Sequence, residues 1–398
     1  MNRSRLLPAL ALSLAALAAT PACAQVPPRP VAEFGEMAAQ GTSFEFFRER
    51  NIFLPVVING RPVQAALDSG AGMTTIDKAF ADSIGLKATS HVTASGSGGP
   101  EEAGVASGVD IEAAGLHLKN VTVLILDLAS IGVKMGHPLP LVLGRDAFAL
   151  SSVDIDYPAR RLVLRDPATF TPPPGAASVP LTRDDGHVRK LMVSIEGAAP
   201  VQADFDLGNA GALSISSDYA RRQQFLNHRP STDTLAGGVG GITLHDEAMV
   251  RSLRLGGFEL TDVPALISRS AVEEPKIGAN IGMAVFSRFH LITDYAHDRL
   301  ILIPDPSAMQ RPFEKDRSGL HAMPTPDRLK VLLVSAGSPA AAQGWKAGDE
   351  IVAVNGEAVS PAFLTSPRAR WTSEPAGTTV ELTLTDGSRR RLTLKDYF

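Results

Sequence analysis

Residues 66–71, Ala-Leu-Asp-Ser-Gly-Ala, return in altered form at residues 204–209, Asp-Phe-Asp-Leu-Gly-Asn, and no other feature constrains this chain as tightly. Each copy passes through an apolar residue, Leu67 or Phe205, into Asp-x-Gly. That pattern describes a buried strand delivering one carboxylate to a tight turn, where glycine removes the side-chain obstruction. The register around the two copies is shared. Asp206 follows Asp68 by 138 residues, and Gly282 follows Gly144 by the same 138. Phe148, Asp156-Tyr157, Arg161-Leu162 and Leu164 return at that offset as Phe286, Asp294-Tyr295, Arg299-Leu300 and Leu302. A gapless run of matches predicts a duplicated unit, each half supplying one Asp.

The segments around these turns read as short strands. Ile52 to Ile58 before Asn59-Gly60, then Pro62 to Leu67, predict a hairpin leading into Asp68. Residues 75–86 predict a short helix. Ser95-Gly96-Ser97-Gly98-Gly99 and, in the second half, Gly237-Gly238-Val239-Gly240-Gly241 are too glycine-rich for core strands and predict exposed hairpin tips. Leu141-Val142-Leu143-Gly144 is an apolar run closed by glycine, where close packing is the expected role of Gly144 and of Gly282. Thr171-Pro172-Pro173-Pro174-Gly175 punctuates the end of the first half, since consecutive prolines neither continue a helix nor donate to a central sheet.

The N-terminus reads as an export signal. Arg3 and Arg5 precede an apolar run over residues 6–19, and Ala22-Cys23-Ala24 supplies small residues for cleavage after Ala24. Acylation of Cys23, which would anchor the product to lipid, is the alternative. Cys23 is the chain's single cysteine, so the mature product is expected to lack thiol catalysis, disulfides and Cys-based metal sites. Net charge is −4, and loss of Arg3 and Arg5 with the leader would make it −6. A mildly acidic chain with no basic block has no electrostatic footprint for nucleic acid or anionic lipid. The histidines are scattered without metal-ligand spacing, no Gly-x-Ser-x-Gly elbow occurs, and no apolar run after the leader is long enough to span a bilayer. No metal or cofactor is expected.

Paired carboxylates define a specific chemistry. Held about 3 Å apart they cannot both ionise, so the pair retains one proton and titrates as a unit. The ionised member can take a proton from a water molecule while the protonated member polarises a substrate carbonyl, with no covalent intermediate.

Leu67-Asp68-Ser69-Gly70-Ala71 together with Leu141-Val142-Leu143-Gly144-Arg145-Asp146 resembles the two signature motifs of retropepsin-like aspartic proteases. The resemblance covers the first half well and the second by repetition. It implies a mainly β architecture of two closed lobes forming a pepsin-like pseudo-dimer within one chain. Asp68 and Asp206 would be catalytic, supported by Ser69, Gly70, Ala71, Leu207, Gly208 and Asn209. The glycine-rich tips, Ser95 to Gly99 and Gly237, Gly238, Gly240 and Gly241, would be flaps over a polypeptide substrate. The second half departs from the pattern at Leu207, which has no hydroxyl to brace the turns, and at Asn209. Ser69 is therefore expected to lack its partner. An asymmetric internal dyad, a site completed in a homodimer, and a non-catalytic envelope peptide-binding protein are the three outcomes this allows.

Gly337-Ser338-Pro339-Ala340-Ala341, Gly344, Ala347-Gly348-Asp349-Glu350-Ile351 and Val354-Asn355-Gly356 resemble a bacterial-type PDZ domain, a small α+β unit. The resemblance implies capture of extended peptide tails by strand addition, with Gly319, Leu320 and His321 the best candidates for the carboxylate-binding loop. The expected organisation is a signal at 1–24, an N-terminal arm at 25–41, lobes at 42–167 and 179–304 joined by a Pro-rich linker at 168–178, a second linker at 305–317, and the PDZ unit at 318–398. Export to the bacterial periplasm is expected, as a monomer.

Overall fold

The computed structural model describes residues 29–96, 98–183, 188–269 and 278–398. The leader expected over residues 1–24, with Cys23, and the flap candidate Ser97 lie outside them. The chain is mainly β. Among the described residues no helix is long and apolar enough to cross a membrane.

The first sheet is built around the Asp68 turn. Asn51–Ile58 and Arg61–Leu67 pair antiparallel across Asn59 and Gly60, both at positive φ (46° and 77°), the backbone that lets a two-residue turn follow the twist of its strands. After the Asp68 turn the chain forms Thr75–Asp77. Leu141–Leu143 then inserts between these two strands, parallel to Arg61–Leu67 and antiparallel to Thr75–Asp77. Asp68 is thereby placed at the end of a strand that has neighbours on both sides. Gly144 follows immediately, and a Cβ there would lie 2.7 Å from the Met73 carbonyl oxygen and 2.9 Å from that of Ala71, so only glycine lets the strand pass beneath the turn.

A second sheet places Asp206 with the same pairings. Val201–Phe205 runs parallel to Ala279–Ile281, which is antiparallel to Leu213–Ile215. A Cβ on Gly282 would lie 2.3 Å from the Gly211 oxygen. A third sheet joins the halves: Ser152–Asp156 pairs antiparallel with Phe289–Asp294, Val153 opposite Thr293 and Ile155 opposite Leu291. One hydrophobic core spans both halves and includes Leu67, Leu143, Phe148, Phe205, Leu207, Phe286 and Tyr295. Phe148 stacks on Tyr295 across the seam at 5.7 Å between ring centroids.

Residues 318–398 have their own core around Trp345, Phe363, Trp371 and Leu382. Their sheet runs in the order Leu320–Pro324, Leu329–Val334, Glu350–Val354, Thr379–Leu384, Arg389–Thr393. This unit is seated against the first half: the Arg48 guanidinium donates to the Leu364 carbonyl, with Nε at 2.9 Å, and Arg370 pairs with Glu49 and with Glu314.

Within the arm expected at 25–41, Val31–Phe34 pairs antiparallel with Leu116–Leu126 at the edge of the first sheet. Its alternation of exposed and half-buried residues is that of an edge strand. The helix expected over residues 75–86 shrinks to Lys78–Ser83, because β-branched Thr75 and Ile76 extend the backbone into the sheet. Asp77 caps the helix through the Phe80 amide, and its other oxygen accepts from the amides of Leu128 and Ala129.

Candidate active site

The two Asp-x-Gly turns face each other, held by matched backbone bonds. Asp68 N donates to Leu143 O and Asp206 N to Ile281 O, both at 3.1 Å. Each carboxylate folds back over its own turn. Asp68 Oδ1 accepts from the amides of Gly70 (2.8 Å) and Ala71 (3.1 Å), and Asp206 Oδ1 from those of Gly208 (2.9 Å) and Asn209 (3.0 Å). Each glycine makes room for the opposing acid. A Cβ on Gly208 would lie 2.2 Å from Asp68 Cγ, and one on Gly70 would lie 2.5 Å from Asp206 Oδ1. No side chain fits at either place, so the two carboxyl groups meet between the turns.

That meeting changes the chemistry of Asp68. Burial, the Asp206 charge and a carboxyl–carboxyl hydrogen bond push its carboxyl up to about 7, against the opposing pull of the Gly70 and Ala71 amides. The facing pair therefore holds on to a proton until pH approaches about 7.

Ser69 behaves differently from the sequence expectation. It is buried, and its hydroxyl accepts from the Leu207 amide at 2.9 Å while donating to the Phe205 carbonyl at 3.1 Å. Its partners are backbone groups on either side of Asp206, so the side chain at 207 is irrelevant to them. What Leu207 removes is only a reciprocal hydroxyl; its own side chain is fully buried in the shared core. Ser69 thus retains its brace.

A residue that sequence reasoning missed completes the second turn. Asn280 Nδ2 donates to Asp206 Oδ2 at 2.7 Å, and Asn209 Nδ2 donates to Asn280 Oδ1 at 2.7 Å. The positions 138 residues earlier are Val142 and Ala71, neither able to hydrogen-bond through its side chain. The duplication offered only a faint signal: two amides, 71 residues apart in the chain, stand where the first half has two apolar residues.

The glycine-rich tips belong to two long hairpins, Ser90–Gly96 with Gly99–Ala113 and Ser231–Gly238 with Gly241–Leu255. Ser95 pairs with Pro100 and Gly96 with Gly99, while Gly237 pairs with Ile242 and Gly238 with Gly241. The tips touch: Gly98 N donates to Val239 O at 2.7 Å. A Cβ on Gly98 would lie 2.1 Å from Gly241 N, and one on Gly240 would lie 2.4 Å from Gly99 N. Because the obstructing atoms are backbone, Gly98→Val is expected to push the tips apart and lose the bond to Val239. Amide exchange in peptides covering the two hairpins should accelerate about fivefold or more, the equivalent of one lost hydrogen bond. Unchanged exchange would show that the tips do not hold each other.

Gly319, Leu320 and His321 are not brought to the carboxylate pair, and their groups are engaged locally. Gly319 N donates to Asp316 Oδ2 at 2.6 Å and Leu320 N to Ser318 Oγ at 2.9 Å, and the Leu320 side chain is buried. Ser335 Oγ donates to Asp233 O at 2.6 Å, so it accepts from His321 Nε2 at 2.7 Å, leaving Nδ1 to accept from Thr234 Oγ1. His321 thus ties this unit to the Ser231–Gly238 strand.

Residues 54–147 match the protein-family model described as aspartyl protease, a span that holds the Asp68 turn and the Leu141–Leu143 strand. The match supports a pepsin- or retropepsin-like aspartyl protease. A search of curated proteins returned no match.

Proposed function

We propose that the chain is an exported aspartic endopeptidase in which Asp68 and Asp206 form one internal dyad that hydrolyses peptide bonds. The observation that carries this reading is the face-to-face placement of the two carboxyls, each over the other turn's glycine. Residues 42–167 and 179–304 are read as duplicated lobes forming a pseudo-dimer, supported by their matched strand pairings and shared core. The two flap hairpins would cover an extended polypeptide once their tips separate.

In this reading the proton on Asp68 is directed at the scissile carbonyl oxygen, and Asp206 takes a proton from a water molecule lying between the acids. The water oxygen bonds to the carbonyl carbon, and the π electron pair moves to the oxygen that receives the Asp68 proton. The resulting gem-diol collapses as the C–N bond breaks. The proton held by Asp206 passes to the departing nitrogen, and a hydroxyl proton returns to Asp68. Atoms and charge balance with no covalent intermediate.

Reading the chain as a peptide binder that does not cut rested on Leu207 and Asn209. Ser69 bridges the backbone around Asp206 regardless of Leu207, and Asn209 is engaged with Asn280 to one side, so neither replacement takes a group from between the acids. Residues 318–398 are proposed as a PDZ unit that positions polypeptide along the edge strand Leu320–Pro324. The loop amides that would hold a free carboxylate already serve Asp316 and Ser318, which favours the edge strand over tail capture. Export to the periplasm is part of this proposal, supported by the leader-like residues 1–24.

The test is a pH series with an unfolded protein substrate. The active pair holds one proton, and Asp68 gives it up at about 7, so kcat/KM should be high on the acid side and fall about tenfold per pH unit above that point. Substrate left intact at every pH would overturn the reading, as would a rate that keeps rising to pH 9.

A further inference from the structure

We infer that Asn280, oriented by Asn209, is the positioning residue that makes the dyad asymmetric, confining the shared proton to Asp68 and keeping Asp206 as the proton acceptor. This deepens the peptidase reading and, for its catalytic consequence, rests on it.

The orientation of the amides is fixed by a backbone group. Gly211 N can only donate, and it lies 2.9 Å from Asn209 Oδ1. Asn209 must therefore turn Nδ2 outward, where it meets Asn280 Oδ1 at 2.7 Å and Ser214 Oγ at 3.4 Å. Asn280 is in turn left with Nδ2 toward Asp206 Oδ2, also at 2.7 Å. Each amide in the relay has one polarity that satisfies its neighbours.

The relay ends on a carboxylate oxygen that already has an occupied twin. Asp206 Oδ1 takes the Gly208 and Asn209 amides, and Oδ2 takes Asn280. A proton on Oδ2 would leave it a poorer acceptor for the Asn280 N–H, which bonds more strongly to the ionised oxygen. Asp68 Oδ1 is likewise held by two amides, but Val142 and Ala71 stand where the second half has Asn280 and Asn209, so among the described residues no matching amide relay reaches its other oxygen. Hydrogen bonds to an ionised carboxylate favour that form. The asymmetry therefore places the negative charge on Asp206 and the proton on Asp68.

Strand geometry keeps the relay in place. Asn280 is the central residue of Ala279–Ile281, paired in parallel register with Asp204, and the next residue, Ile281, accepts from Asp206 N. Among the described residues, the titratable groups that share the field of Asp206 include Asp68 on the facing turn and the Tyr295 phenol, which burial pushes far above its ordinary range and so keeps neutral.

The experiment substitutes Asn280→Val, the residue the first half uses at this place. Two readouts are compared with the parent protein: the pH profile of kcat/KM, and the infrared carboxyl C=O band that appears as the pair takes up its second proton. The band is isolated by subtracting the matched Asp206→Asn protein, which cancels Glu247, a half-buried carboxyl that desolvation pushes up to about 7. In Asn280→Val the second proton should bind about one pH unit or more higher, raising the acid limb of the rate profile by the same amount with KM little changed. Asn209→Ala, which frees the Asn280 amide to rotate, should give a smaller shift in the same direction. A melting temperature change without either titration shift would mean a merely structural role and would overturn the inference. If the band shifts but no protein is cleaved by the parent, the peptidase reading fails while the placement of the proton stands.

Discussion

Asp68→Asn is expected to lower kcat/KM toward an unfolded protein by about 10²- to 10⁴-fold, the range for removing a positioned proton donor. The loss should come with an intact fold. Asparagine keeps an oxygen for the Gly70 and Ala71 amides and nearly the same volume against Gly208, but it has no acidic proton for the carbonyl. A second consequence concerns stability. The folded state holds the Asp68 carboxyl at about 7 against an ordinary value of 3.8, so between these values the native chain binds more protons than the unfolded one. Stability associated with this group is complete below 3.8 and is lost as pH rises through about 7. Asp68→Asn removes that loss, so the variant should melt higher than the parent at pH 8 and close to it at pH 4. Melting curves at the two pH values, run beside the cleavage assay, check both expectations. An inactive variant that melts lower at pH 8 would point to damage rather than to a missing proton.

Ser69→Ala carries the second large effect, through structure. Its hydroxyl is the buried link between the turns, satisfying one amide and one carbonyl of the opposite half. Alanine leaves Leu207 N and Phe205 O without that partner, at about 1–3 kcal/mol for each unsatisfied buried group. The melting transition of the joined halves should fall by roughly 5–10 °C. Activity should fall with it, because the bonds lost flank Asp206. Ser69→Thr keeps the hydroxyl and should recover most of both. Equal melting of the alanine variant and the parent would show that the turns are held by their shared core alone.

The legible part of this site was what local pattern encodes. Asp68, its glycine turn and the apolar strand ending at Gly144 could be read because a carboxylate, a turn and a close-packed strand each demand particular residue types at fixed spacing. The role of Ser69 was not legible, because its partners are backbone atoms of the other half and a sequence displays only side chains. Judging Ser69 by the absence of a hydroxyl at Leu207 therefore misjudged the brace. Asn280 was hidden for another reason: in a three-residue strand one polar residue between Ala279 and Ile281 has too little context to stand out. Val31–Phe34 lay beside prolines and read as an arm, since an edge strand is defined by a partner some 85 residues away rather than by its own composition. At residues 319–321, glycine and an apolar neighbour suggested an open loop, yet Asp316 and Ser318 fill it by short-range side-chain bonds that compete with any incoming peptide.

The central claim is that one chain holds one complete dyad, and the most direct test is calorimetric titration with a peptide analogue carrying a secondary hydroxyl in place of the scissile carbonyl, with the mass of the complex determined in parallel. The account predicts one analogue bound per chain on a monomer, with binding abolished by Asp68→Asn and equally by Asp206→Asn. One analogue per two chains, or binding undiminished in Asp206→Asn, would contradict it.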